Sequence, residues 1–258
     1  MAEFFAESNI GDADVVQLLL DAYERGVEQG EGWGILRNVS MLPQTEATLR
    51  RLQKIDASDY NTIAHIDKAI VESDLELLRK FPGIRPKLPQ NISILDNRFR
   101  LAAMKTEKLW EELWHHSESG MGHNLEEFDY EYGGLIVKEL SARQDFPVDK
   151  YLERIQMVYP EDYSGWDETY LCALSGELRS EESLPFLIRT VKIDGDFVPE
   201  RASEALAKIG TASVVEAIGR EYLNEEIPFR IHATGALGNI KTEASENLML
   251  ELLQRRRT

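Results

Sequence analysis

Apolar residues recur at helical spacing along almost the whole chain. Between Asp12 and Gln29, Val15, Leu18, Leu19, Ala22 and Tyr23 form one stripe of an amphipathic helix. Asp12 or Asp14 stands where a cap would accept its first N–H groups, and Gly30 stands where a left-handed stop would fall. Leu49, Leu52 and Ile55 predict a second helix after Thr45, and Tyr60, Ile63, Ala64, Ile66, Ala69 and Ile70 predict a third. Ser73-Asp-Leu-Glu76 reads as a capping box, with the serine as cap, opening a short helix that must end near Phe81 because Pro82 follows.

The stretch from Gly83 to Asn91 holds Pro86 and Pro89 and reads as a linker or long loop, a candidate boundary near 83–90. Helices are expected to resume over Arg98 to Lys105 and Thr106 to His116. No segment sustains period-two alternation, and the β-friendly Asn91-Ile-Ser-Ile-Leu95 is too isolated to build a sheet. The fold class expected is all-α.

A repeat organises the second half. Ala205-Leu-Ala-Lys-Ile-Gly210 matches Ala236-Leu-Gly-Asn-Ile-Lys241 at an offset of 31 residues, and Ala173-Leu-Ser-Gly-Glu-Leu178 precedes them at 31 to 32. Each is followed by a polar turn and a second apolar helix: Ser183 to Val191, Ser213 to Tyr222 and Ala244 to Leu253. Val191, Tyr222 and Leu253 keep the 31-residue spacing without slippage. Pro199-x-Arg201 and Pro228-x-Arg230 open two of the first helices, where proline costs little because the early N–H groups are unpaired anyway. Alanine and glycine fit where helix axes approach, and one pair cannot bury its apolar face without a stacked neighbour.

This pattern resembles HEAT-like repeats, particularly the short bacterial kind found in phycobilin lyase subunits. The resemblance covers residues 165–258, with a degenerate copy at Leu135 to Leu140 and Val148 to Met157. It implies an α-α superhelix: one continuous solenoid over residues 1–258, with irregular helix pairs in 1–130 and HEAT-like repeats in 135–258. The fold hosts many activities, so the resemblance speaks to architecture.

Composition narrows the partners. The 258 residues carry 29 Lys+Arg against 46 Asp+Glu, a net charge of −17. Nucleic-acid binding runs on phosphate neutralisation and docking on anionic lipid runs on basic residues, so neither partner is expected. A hydrophobic content of 43% is that of a folded chain rather than an acidic disordered one. The single Cys172 excludes an internal disulfide. No apolar run approaches the roughly 20 residues that span a bilayer, and the first residues lack a basic-then-apolar leader, so a cytoplasmic protein is expected.

Chemistry-bearing residues concentrate in one segment. His115, His116 and His123 fall within nine residues, ahead of Glu126, Glu127, Asp129 and Glu131. Imidazole and carboxylate together suit zinc, iron or manganese, which makes His116, His123 and Glu127 a candidate metal set. Adjacent histidines on a helix point about 100° apart, so His115 and His116 are unsuited to sharing one ion. Near a helix C-terminus they serve the dipole instead. Among HEAT-like metal enzymes, the deoxyhypusine hydroxylases use His-Glu dipeptides, and this chain has none. The helical-repeat DNA glycosylases need a basic groove, which the charge opposes. Cys172 sits at a core position of its helix, and Gly30-Glu-Gly-Trp-Gly34 follows a helix rather than the strand a dinucleotide site requires. No cofactor is expected.

The expected function is therefore a protein-interaction or scaffold module, binding a protein or peptide on a concave helical surface. Trp110, Trp114, Tyr130, Tyr132 and Trp166 are the candidate anchors, in an acidic surround that favours a basic partner. A metal-dependent or lyase-type enzyme using residues 115–131 is the alternative.

Overall fold

The computed structural model describes residues 13–26, 32–123, 127–157, 166–193 and 195–255. Among them it has fifteen α-helices and no strand, the all-α class that the spacing predicts. The chain divides into two compact units, Met1–Ala102 and Ala103–Thr258.

The first unit contains α1 (Ala13–Gly26), α2 (Gly32–Val39), α3 (Glu46–Lys54), α4 (Tyr60–Glu72), α5 (Leu75–Lys80) and α6 (Pro89–Ala102). Asp14 lies in the first turn of α1, where a carboxylate suits the dipole; Asp12 and Gly30 lie outside the described residues. Thr45 and Thr48 cap α3 reciprocally, each backbone N–H meeting the other's hydroxyl at 2.8 and 3.3 Å. Asp59 caps α4 by accepting from the Thr62 N–H at 2.9 Å. The stripes of α1 to α4 and α6 converge on one core through Val16, Leu20, Leu49, Leu52, Ile66 and Leu95. Burying each such side chain contributes about 1.5–3 kcal/mol.

At two places the structure departs from the expected elements. The cap of α5 is Asp74, whose carboxylate accepts from the Leu77 N–H at 2.9 Å, while the Ser73 hydroxyl instead donates to Ala69 and closes α4. The stretch Asn91 to Leu95 is helical, inside α6, which starts nine residues before Arg98 and stops at Ala102. Pro89 opens α6, where its missing N–H costs nothing. The fully buried Asp67 fixes the approach: its carboxylate accepts from the Lys87 N–H at 2.8 Å and the Leu88 N–H at 2.6 Å, with Asn91 Nδ2 at 3.4 Å. The 83–90 loop is thereby fastened inside the first unit.

The second unit contains α7 (Thr106–Ser119), α8 (Tyr130–Ser141), α9 (Val148–Ile155), α10 (Asp167–Leu178), α11 (Leu184–Val191), α12 (Phe197–Ile209), α13 (Ala212–Tyr222), α14 (Ile227–Asn239) and α15 (Glu243–Arg255). The helices that the 31-residue spacing predicts, α10 to α15, are all present, and α8 and α9 cover the degenerate copy. The first helices α8, α10, α12 and α14 pack on one another in chain order, and so do the second helices α11, α13 and α15. Small residues allow the approach. A Cβ on Gly176 of α10 would stand 3.0 Å from the Ala205 Cα of α12. One step along, the Ser203 hydroxyl of α12 donates to the His232 carbonyl of α14 at 2.7 Å.

Candidate functional site

The three candidate tryptophans are core residues rather than exposed anchors. Trp110, Trp114 and Trp166 each leave 6% or less of their surface exposed. Trp110 and Trp114, one helical turn apart on α7, meet edge to face with centroids 5.1 Å apart. Arg154 of α9 lies over the Trp114 ring at 3.8 Å and holds Asp167 at 3.0 Å, while the Ser117 hydroxyl donates to the other oxygen of that carboxylate. Trp166, just before α10, donates its ring N–H to the Gly120 carbonyl at 3.0 Å. A ring packed on all sides has no area left for a partner, so these three positions serve the fold.

Tyr130 and Tyr132 are half-buried. The Tyr132 hydroxyl donates to Glu112 at 2.7 Å and ties α8 to α7. Tyr130 stacks on Tyr170 of α10, centroids 5.9 Å apart and nearly parallel, and meets Phe197 of α12 edge-on at 5.4 Å. Gly133 makes room for this arrangement, because a Cβ there would overlap the Tyr170 ring. Burial pushes the Tyr130 and Tyr170 hydroxyls upward, Tyr170 the more strongly.

The proposed metal set does not assemble. His116 Nε2 lies 2.9 Å from the Asp129 carbonyl; a carbonyl only accepts, so the ring donates there and that nitrogen is not a free ligand. Its ring stacks on Phe128 at 4.5 Å. His123 Nδ1 and Glu127 are exposed and 3.8 Å apart. Among the described residues no group of three or more His, Cys, Asp or Glu side chains is placed to hold a metal ion.

Beside the Tyr130 ring, α10 and α12 enclose a slot of about 110 Å³ with Tyr130, Cys172, Arg201, Glu204 and Lys208 in its wall. Arg201 Nη1 pairs with Glu204 at 2.7 Å, and the Lys208 ammonium pairs with Glu177 on the neighbouring helix. Arg201 Nε is buried without a hydrogen-bond partner. The Cys172 thiol is fully buried, and burial with nearby Glu168 holds it well above its usual range, so it is a protonated, unreactive thiol at neutral pH. The slot can therefore offer donors, acceptors and an aromatic edge, with no activated nucleophile.

Of these residues the sequence pattern flagged Tyr130 as an anchor and Arg201 as part of a helix opening. Lys208 and Glu204 were missed because each reads as an ordinary solvated helix position. Their spacing of three and four residues on α12, facing Glu177 about one repeat earlier, is the signal that groups them. Compared with protein-family models, curated proteins and solved structures, the chain matches none. Among the described residues no helix is long and apolar enough to cross a membrane.

Proposed function

We propose that this chain is a cytoplasmic protein-interaction module whose helix pairs form an α-α superhelix, and that it binds a protein or peptide segment across the face made by α8, α10, α12 and α14. The reading rests on the closeness of the first helices. They pack on one another more extensively than the second helices do, and a Cβ on Gly176 would stand only 3.0 Å from the Ala205 Cα. Rows of helices packed more tightly on one side curve toward that side, and the inner face of such a curve is a long contact surface. Tyr130, Arg201, Glu204, Lys208 and Glu177 supply an aromatic edge and paired charges along it. A peptide backbone can exchange hydrogen bonds with such groups without displacing the core.

The test is affinity purification from the source cells at native expression, comparing the natural chain with an Arg201→Glu, Lys208→Glu variant. Proteins retained by the natural chain and lost from the variant support the reading. Identical protein sets for both, or no protein above background, overturn it.

A further inference from the structure

The repeat itself shows which face of α14 and α15 is open. Ser203 of α12 reaches the next first helix through its hydroxyl; Thr234, its counterpart 31 residues later, turns back to Tyr222 at 2.9 Å and to its own Arg230 carbonyl. Gly176 is covered by α12, whereas a Cβ on Gly238, two repeats later, would meet nothing within 4 Å. Tyr222 is buried by the following pair, while its counterpart Leu253 is 61% exposed.

The uncovered face is apolar. Ile227 and Ile231 on α14 are 69% and 63% exposed, and lie beside the exposed Leu253 of α15. They edge a groove of about 440 Å³ floored by Leu237, Met249 and Leu252. Contiguous exposed apolar surface of this kind marks an interaction site. Its rim is acidic. Glu226 is exposed immediately before Ile227, and Glu246 is exposed one and two turns before the lining residues Met249 and Leu253, on the same side of α15. Arg230 pairs with neither carboxylate, its guanidinium being held at 3.0 and 3.2 Å against the Tyr222 and Leu223 carbonyls at the end of α13.

The geometry points to a docking site for an amphipathic helix of a partner protein, apolar along one stripe and basic along its edges. The apolar stripe takes the place that α14 takes on α12, continuing the packing interface already present between successive pairs. The basic edges answer Glu226 and Glu246. This surface is separate from the slot at Tyr130, so the two proposals stand or fall independently.

The test uses the full chain and a designed, fluorescently labelled helical peptide of about five turns, with leucines at i, i+3, i+4 and i+7 between lysine edges. A twin peptide has glutamates at the edges. The expected results are saturable anisotropy with the lysine peptide and binding weaker by about tenfold or more with the glutamate twin. Loss of about tenfold or more in affinity for Ile231→Glu is also expected, with the melting temperature unchanged because that side chain is exposed. A paired Glu226→Lys, Glu246→Lys variant should reverse the preference between peptides. Equal affinity for both peptides, or no binding of either, overturns the proposal. So does a dimer of the free chain that Ile231→Glu disperses, which would make a second copy the occupant.

Discussion

Gly176 of α10 and Ala205 of α12 lie so close that a Cβ on the glycine would stand 3.0 Å from the alanine's Cα. Backbone, not a flexible side-chain end, occupies the space, so a larger residue must push two helices apart. Gly176→Val is expected to cost about 2–3 kcal/mol. Gly134→Ala on α8, where a Cβ meets nothing within 4 Å, is expected to be neutral or to stabilise by up to about 1 kcal/mol through helix propensity. Urea unfolding followed by tryptophan fluorescence reports on this unit, because three of the four tryptophans lie in it. Equal stability of the two variants would sink the account.

Asp167, nearly buried, depends on Arg154 and Ser117. Removing the cation as Arg154→Met leaves a carboxylate short of its countercharge inside the unit, at an expected cost of about 3 kcal/mol. Adding Asp167→Asn should recover part of that loss, since the amide carries no charge to strand. A double-mutant cycle in urea measures the coupling, and strictly additive losses would contradict the pairing.

Asp67→Ala removes the acceptor for two backbone N–H groups, those of Lys87 and Leu88. The expected loss is about 2–4 kcal/mol. Amide hydrogen exchange should show Lys87 and Leu88 losing protection first, and protection equal to that of the natural chain at both positions would refute the clamp.

Alkaline pH should unfold the chain earlier than its charge alone implies. Burial raises the hydroxyls of Tyr23, Tyr130, Tyr151 and Tyr170 and the thiol of Cys172. The unfolded chain releases these protons near about 8.5 for cysteine and about 10 for tyrosine, while the folded chain keeps them. The unfolded state then binds fewer protons, so stability falls as pH rises above about 8.5. Melting temperatures at neutral pH and near pH 10.5 check this, and equal values would contradict it. In the same experiment Cys172 should resist a thiol reagent until denaturant is added.

The repeat was legible because Ala-Leu-x-x-Ile returns at fixed spacing, and the helices it implies are present from α10 to α15. The cap of α5 was misplaced by one residue because Ser73 and Asp74 are both good acceptors, and only the demand of Ala69 for the serine hydroxyl separates them. The α6 start depends on Asp67, about 20 residues away, and pattern along the chain carries no trace of that contact. Trp110 and Trp114 look alike from sequence whether they line a groove or fill a core, since a stripe at i and i+4 serves both. Phe128 and Phe197 escaped notice because they sit at element ends, outside any periodic stripe, yet they complete the rings around Tyr130 and Trp166.

Stacking in chain order also has a kinetic side. The partners of each pair from α10 to α15 lie about thirty residues away, which keeps contact order low and favours rapid folding from any pair outward. Opening follows the same geometry in reverse. Among the described residues α14 and α15 have a packed neighbour on one side only, so their amides should exchange through local fraying while those of α10 wait for a larger event. A helix seated on Ile231 and Leu253 would slow that fraying, and occupancy of the open face would then be readable as a local change in exchange rate with α10 unaffected.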